Sequence, residues 1–463
     1  MIRLITALII TLLVFVTTAF SQNTAITGDW YGQLDIQGTK LKINFHVSEK
    51  GGIYTTTMDS PDQGAMGIPT ASTNVTNNTL EVNLQGVSFI GELKKDKIDG
   101  IFNQNGMSIP LILSKTPIVS EKPKAKPQEP KKPYNYISEE ITFVNKQANN
   151  IKLAGTLTLP KHVKKPAVAI LITGSGPQNR NSEILGHQPF LVLSDYLTNN
   201  GIAVLRYDDR GVADSEGTQE GKTSVDFATD VDAAITYLKT RKDINTKKIG
   251  LIGHSEGGFI APMIASKNKE VAFIVLLAGT GVDGGLILRT QERRANELSG
   301  ATKDALDYKE RLGKKMHDIV NSSNNSKEVT ENLKTFFTDF RKNNTETYTN
   351  YITDDMVNIM VNAYNNWHIY FIKTDPAQFL EKTNCPVLAL NGSKDFQVLP
   401  KLNLSGIKSA LKHNKDVTTI ELEGLNHLFQ KCKTGALSEY AQLEETFNED
   451  AMKIITNWIN KRF

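Results

Sequence analysis

Cysteine is scarce in this chain: 463 residues carry two, Cys385 and Cys432. That excludes a disulfide-stapled scaffold, because at most one bridge could form. The two could pair in an oxidising compartment or remain thiols, and Cys385, at the head of the apolar run "CPVLALNG", fits a buried thiol. Excess charge is missing too. Lys and Arg number 53 against 50 Asp and Glu, a net charge of +3, and no basic stripe is interleaved with aromatics, so no nucleic-acid partner is expected. There is no H-E-x-x-H and no paired C-x-x-C to hold a metal. "TGSGP" (173–177) lacks the G-K-[ST] of a phosphate loop and the G-x-G-x-x-G of a dinucleotide fold, so no cofactor is expected. The one strongly apolar run, Leu4–Val16, is broken by Thr6 and Thr11 and is too short for a comfortable membrane span. With Arg3 before it and Ala19 and Ser21 after it, residues 1–21 read as a secretory signal peptide cleaved after Ser21. The mature chain is therefore expected to be secreted or periplasmic, with no stable membrane span after cleavage. An uncleaved anchor is the alternative.

What is present falls into two bodies. Residues 22–115 have the period of two that marks half-buried strands. In "TKLKINFHVS", Leu41, Ile43, Phe45 and Val47 alternate with polar neighbours. This is a small all-β domain, a lipocalin-like barrel or a sandwich. His46 falls on its polar face and is expected to be solvated. Residues 116–136, "TPIVSEKPKAKPQEPKKPYNY", are rich in Pro, Lys and Glu and read as a semi-extended linker between independently folding bodies. From about 137 strands alternate with helices. "AVAILIT" is a continuous apolar run, as in a strand buried on both faces, and "IAVLRYD", "KIGLIG" and "VAFIVLLAG" read as further strands. A helix is expected over "EILGHQPFLVLSDYLTNNG", another behind an N-cap at Ser224, and a last one near 436–461. Between about 281 and 382 the strands stop and the chain turns polar and helical, a pattern expected of a cap over the strands' C-terminal ends.

The chemistry centres on "GHSEGG". Gly253-His254-Ser255-Glu256-Gly257 matches G-x-S-x-G, which places a serine on a strained strand-to-helix corner with its Oγ clear of the backbone. A serine needs a base, and the base needs a third group to orient it. In the order Ser, Asp, His, the acid should follow a later strand and the histidine the last one. Asp395 follows "VLALNG", whereas Asp355 and Asp375 lie in or at the end of the helical excursion. His427, in "LEGLNHLFQ", alone follows both Asp395 and the last strand; His317, His368 and His413 precede it. Oxyanion donors are expected from the backbone N–H of Glu256 and from the loop "TGSGPQNRN", at Ser175 or Gly176. The Glu256 side chain is expected to sit at the helix start, favoured by the helix dipole.

Together, "TGSGPQNRN", "RYDDRGVADSEG", "GHSEGG", "NNWHIYFIKTDP", "CPVLALNGSKDFQV" and "LEGLNHLFQ" make residues 137–463 resemble the α/β-hydrolase superfamily. Within it, the likeness is to secreted bacterial carboxylesterases grouped with serine aminopeptidase S33-like hydrolases. The resemblance implies an α/β-hydrolase fold with a mostly parallel sheet and an inserted helical cap. It also implies a Ser255-Asp395-His427 triad acting on a small-molecule ester. Asp209 and Arg210 would be a structural loop pair near the site, and Trp367, Tyr370 and Phe371 would line an acyl or alcohol pocket or pack the cap. The rival readings are a serine aminopeptidase of the prolyl aminopeptidase type and a non-catalytic glycan- or lipid-binding protein.

Overall fold

The computed structural model describes residues 26–36, 39–61, 65–84, 87–104, 107–118, 126–343 and 352–463. The segment 1–21 read as a signal peptide lies outside them. Among the described residues no helix is long and apolar enough to cross a membrane.

The N-terminal sheet has nine antiparallel strands. They are β1 (Gly28–Ile36), β2 (Thr39–Lys50), β3 (Ile53–Ser60), β4 (Ala65–Pro69), β5 (Ser72–Thr76), β6 (Thr79–Leu84), β7 (Val87–Lys94), β8 (Lys97–Gln104) and β9 (Met107–Ser114). β9 returns to pair with β1, so the order runs β4-β3-β2-β1-β9-β8-β7-β6-β5. The corner between the two outer strands is pinned by Thr70, which donates its amide (3.2 Å) and hydroxyl (2.8 Å) to the Thr56 carbonyl. Alternation delivers the inward residues: Trp30, Phe45, Leu80, Phe89, Phe102 and Leu111 are sealed in one core.

The C-terminal sheet is mixed. Its strands are β10 (Ile137–Asn145), β11 (Ile151–Leu159), β12 (Val168–Ile172), β13 (Ala203–Tyr207), β14 (Ile249–His254), β15 (Val271–Leu277), β16 (Val387–Gly392) and β17 (Val417–Leu422). They lie in the order β10-β11-β13-β12-β14-β15-β16-β17. The hairpin β10–β11 is antiparallel and joins β13 antiparallel; all later pairs are parallel. β12, β13, β14 and β16 are buried at every position, as their largely apolar sequences favour.

Helices cover both faces. α1 (Pro189–Asn199) packs on one face; α2 (Ser224–Leu238) and α3 (Glu256–Ala265) pack on the other. Among the described residues six helices then intervene between β15 and β16: α4 (Gly284–Leu298), α5 (Lys303–Ser322), α6 (Ser326–Asn343), α7 (Asp354–Ala363), α8 (Asn366–Lys373) and α9 (Ala377–Leu380). They occupy the stretch where the sequence predicts a cap. α10 (Pro400–Ala410), the short α11 (Leu437–Tyr440) and α12 (Glu449–Asn460) complete the chain.

Three boundaries depart from the sequence reading. α1 begins only at Pro189, whose fixed φ suits a first helical position, while Ile184 and His187 upstream form a β-bridge. The N-cap of α2 is Thr223, whose amide is received by the Asp226 carboxylate (3.0 Å), which frees Ser224 for another partner. The single helix expected over 436–461 is two, parted by a loop at 441–448. That loop receives the C-terminal half of the Pro-rich segment. Gln128 accepts from the amides of Thr446 (2.6 Å) and Phe447 (3.0 Å) and donates to the Phe447 carbonyl (2.7 Å), while Lys126 Nζ reaches the Leu443 carbonyl (2.7 Å). From Lys126 onward, the segment expected to be a spacer is a strap on the C-terminal body.

Candidate active site

β14 runs into α3 through Ser255, which has φ 54° and ψ −114°. Left-handed backbone at a residue with a Cβ costs on the order of 1–3 kcal/mol and persists only where its surroundings enforce it. Here the Ser255 amide donates to the Leu277 carbonyl at the end of β15 (2.8 Å), and the glycines allow the close approach. A Cβ on Gly253 would lie 2.0 Å from the Gly257 carbonyl, and one on Gly257 would lie 2.2 Å from the Ile172 carbonyl. The Ser255 side chain does not cap the helix behind it, so its hydroxyl is not committed to the first turn.

The loops after β16 and β17 bring Asp395 and His427 together. Both are buried. Asp395 Oδ1 accepts from the amides of Gln397 (2.8 Å) and Val398 (2.9 Å), and Oδ2 accepts from His427 Nδ1 (2.7 Å). A carboxylate can only accept there, so the imidazole proton is on Nδ1 and Nε2 is left as a base. Among the described residues no hydrogen bond joins Ser255 Oγ to His427; catalytic bonds of this kind commonly tighten only when substrate is seated. The other candidates are occupied elsewhere. Asp375 receives the Ala377 amide, His317 meets Arg289, His368 meets Asn365, and His413 donates to the Thr383 carbonyl.

The loop after β12 lies against the serine: a Cβ on Gly174 would be 3.3 Å from Ser255 Cβ. The amides of Ser175, Gly176 and Glu256 make no backbone hydrogen bond among the described residues. Gly176 has φ 84°, a conformation suited to glycine. Asp209 clasps both ends of this loop, accepting from Thr173 Oγ1 (2.7 Å) and the Gln178 amide (3.0 Å). Burial pushes its carboxyl up to about 8. Its sequence neighbour Arg210 pairs instead with Asp230 (2.7 Å), so Asp209 and Arg210 are not a pair; successive side chains leave this loop in different directions.

Glu256 also differs from expectation. Its side chain is buried rather than sitting at an open helix start. It accepts from Ser224 Oγ (2.5 Å) and from the indole N–H of Trp367 (2.7 Å), and burial raises its pKa. Of the three residues offered as a pocket lining, Trp367 thus ties α8 to the serine corner. Phe371 stacks on it at 5.1 Å and is buried against Phe259, and Tyr370 is half-buried beside Phe259. Sequence reasoning passed over Ser224, which the capping pattern T-S-V-D would have released, and His254, inside the G-x-S-x-G match itself.

Residues 103–422 match the family model described as X-Pro dipeptidyl-peptidase (S15 family). That is a different peptidase family from the S33-like set suggested by the motifs. A stretch of 294 residues is 25% identical to esterase EstD of Thermotoga maritima, covering 64% of this chain and 62% of that protein. The match therefore spans less than two thirds of that curated relative's length. Among solved structures, the Pyrococcus furiosus esterase Pf2001 aligns with a TM-score of 0.44 at 14% identity, over 71% of this chain and 91% of that one. Est1E of Butyrivibrio proteoclasticus, solved with ferulic acid bound, aligns with a TM-score of 0.39 at 16% identity, over 69% and 96%. With more than half of its length inside the family model, the chain belongs to the X-Pro dipeptidyl-peptidase (S15) family of the α/β-hydrolase superfamily.

Proposed function

We propose that the protein is an exported serine hydrolase that cleaves carboxylic esters through an acyl-enzyme on Ser255. The observation that carries this is the buried Asp395–His427 hydrogen bond (2.7 Å), its histidine tied through His254 to the strand end where Ser255 is held at φ 54° on a strand-to-helix corner. In this reading His427 Nε2 takes the Ser255 proton as Oγ attacks the ester carbonyl. Asp395 fixes the tautomer and offsets the imidazolium charge. The amides of Glu256 and of Ser175 or Gly176 receive the oxyanion. The imidazolium then protonates the leaving alcohol, and water, activated by the same base, releases the acid. No step calls for a cofactor or a metal. EstD, named an esterase, supports an ester substrate. Residues 1–21 support export, and a mature N-terminus at Gln22 in the exported protein is the matching test.

The family match favours a second reading, a peptidase releasing X-Pro dipeptides. Parallel assays with p-nitrophenyl acetate and an X-Pro p-nitroanilide separate the two, and turnover of the anilide alone would overturn the esterase reading. Ser255→Ala should lower turnover by about 10⁴–10⁶-fold, with a stability change of about 1 kcal/mol or less. Asp395→Asn should lower kcat by about 10⁴-fold, because an amide favours the wrong tautomer of His427. A folded Ser255→Ala protein with unchanged turnover would overturn the assignment of the nucleophile.

A further inference from the structure

His254 ends β14, one residue before Ser255, and it is buried. Its Nε2 lies 2.9 Å from the backbone carbonyl oxygen of His427. A carbonyl only accepts, so His254 carries its proton on Nε2 and its Nδ1 is bare. The two imidazole rings sit 4.7 Å apart, tilted by 52°, and Phe429 closes over His254 at 6.5 Å, edge to face. On the opposite side a Cβ placed on Gly174 would be 3.5 Å from Nδ1, so the ring fills the space between the oxyanion-side loop and the histidine loop. Burial, reinforced by the neighbouring His427, holds the His254 pKa down to about 3. It therefore stays neutral when His427 takes up a proton and adds no repelling charge.

The loop that carries His427 explains what this contact does. Asn426 organises the turn from inside, its Oδ1 accepting from the amides of Leu428 (3.0 Å) and Gln430 (2.9 Å). Those bonds fix the turn on itself. Its flanks are tied outward, the Leu425 and Phe429 carbonyls receiving the amides of Lys394 (2.9 Å) and Asn448 (2.8 Å). At His427 itself, Asp395 holds the side chain by Nδ1, and His254 holds the backbone by its carbonyl. A side chain held only at Nδ1 can still pivot about that atom, whereas a held backbone removes the pivot. The anchor stands on the residue adjoining the nucleophile, so base and nucleophile are referenced to the same strand end.

We propose that His254 is a positioning residue for His427: its Nε2–H holds the His427 carbonyl and thereby keeps the imidazole in register with Ser255. The proposal rests on the serine-hydrolase reading above. His254 touches neither substrate nor reacting atoms in it, so its loss should reduce kcat and spare KM.

The two amide residues separate the hydrogen bond from mere packing. The Gln amide nitrogen reaches approximately where Nε2 sits, and the Asn amide nitrogen only as far as Nδ1. On p-nitrophenyl acetate, His254→Asn and His254→Phe should lower kcat by about 10²-fold with KM little changed, the effect expected of a base displaced by roughly 1 Å. His254→Gln should keep kcat within about tenfold of the wild type. Melting curves identify which variants are folded. If the Phe protein is not, the Gln and Asn proteins, which differ by one methylene, carry the decision. Equal kcat in the Gln and Asn proteins, or a loss that falls on KM alone, overturns the positioning role. A fluorophosphonate probe keeps the two claims apart. Failure to label Ser255 in the wild type overturns the hydrolase reading, while labelled wild type with variants that turn over alike overturns only the role of His254.

Discussion

Asp209 is a carboxyl group in a place that suits an amide. It is partly buried, with each oxygen receiving one hydrogen bond, from Thr173 Oγ1 and from the Gln178 amide, and among the described residues no cation is paired with it. Burial raises its pKa from 3.8 to about 8. Between those values the folded protein keeps a proton that the unfolded chain has released. The unfolded state then binds fewer protons, and stability falls as pH rises. The contribution is complete below pH 3.8 and lost as pH climbs through about 8. In Asp209→Asn, Oδ1 can accept from the Gln178 amide and Nδ2 can donate to a rotated Thr173 hydroxyl. The loop keeps both clasps and loses the titration. The melting temperature of Asp209→Asn should therefore gain on that of the wild type steadily from about pH 5 to pH 9. Parallel curves would show that Asp209 does not titrate in this window. Local contacts also explain why sequence joined Asp395 to His427 and misjudged Glu256. Ser255, Asp395 and His427 are each marked by a neighbouring strand end, whereas the fate of the Glu256 carboxylate depends on Ser224 and Trp367, which are 32 and 111 positions away.

At the scale of elements, the strands of the C-terminal sheet were legible because burial on both faces leaves an unbroken apolar run, as in "VAILI" and "IGLIG". The hairpin β10–β11 was not read, although "ISEEITFVN" and "IKLAGTLTL" flank the turn residues "KQANN". Its antiparallel pairing breaks the β-α rhythm that the later segments set. The Pro-rich segment was misread for a different reason. Composition describes what a stretch does when nothing holds it, and here the partner is a loop more than 300 positions away. Gln128 acts on that loop as a short strand would, with one acceptor and one donor spent on Thr446 and Phe447. The same loop holds the histidine region, since Gln430 Nε2 donates to the Glu445 carbonyl (2.9 Å) and the Lys431 amide to the Glu445 carboxylate (2.6 Å). Gln128→Ala leaves two amides and a carbonyl without partners and should cost about 1–3 kcal/mol. Denaturant unfolding followed by far-UV circular dichroism measures it. An unchanged midpoint would mean that the strap only rests on the surface.

Across the whole molecule, the two sheets have separate apolar cores, one sealed inside β1–β9 and two on either face of the C-terminal sheet. Each can therefore respond to pH through its own charged groups. In the N-terminal sheet the group is His46, which is not simply solvated as its place on the polar face suggested. Its Nδ1 lies 2.7 Å from Asp29 Oδ1, its direct cross-strand partner, and its Nε2 lies 2.8 Å from Asp59 Oδ2 on β3. Asp59 is buried and also receives the Gly67 amide (2.6 Å). Burial lowers the His46 pKa, but the hydrogen bonds and charges of Asp29 and Asp59 outweigh it and hold the imidazolium above its usual 6.5. A raised folded pKa means that the unfolded chain loses its proton first. The stabilisation from His46 is complete below 6.5 and is lost as pH rises through the folded value. Above that, one ring nitrogen has no proton to donate, and one of the three strands is no longer clamped. His46→Gln should remove this dependence. Amide hydrogen exchange of peptides from β2 and β3, corrected for the intrinsic rate, should be slower in the wild type than in His46→Gln near pH 6. The gap should narrow by about pH 8.5, while peptides from β12 and β14 exchange alike in both proteins. A gap that stays constant with pH would mean that His46 contributes by packing and not by its charge.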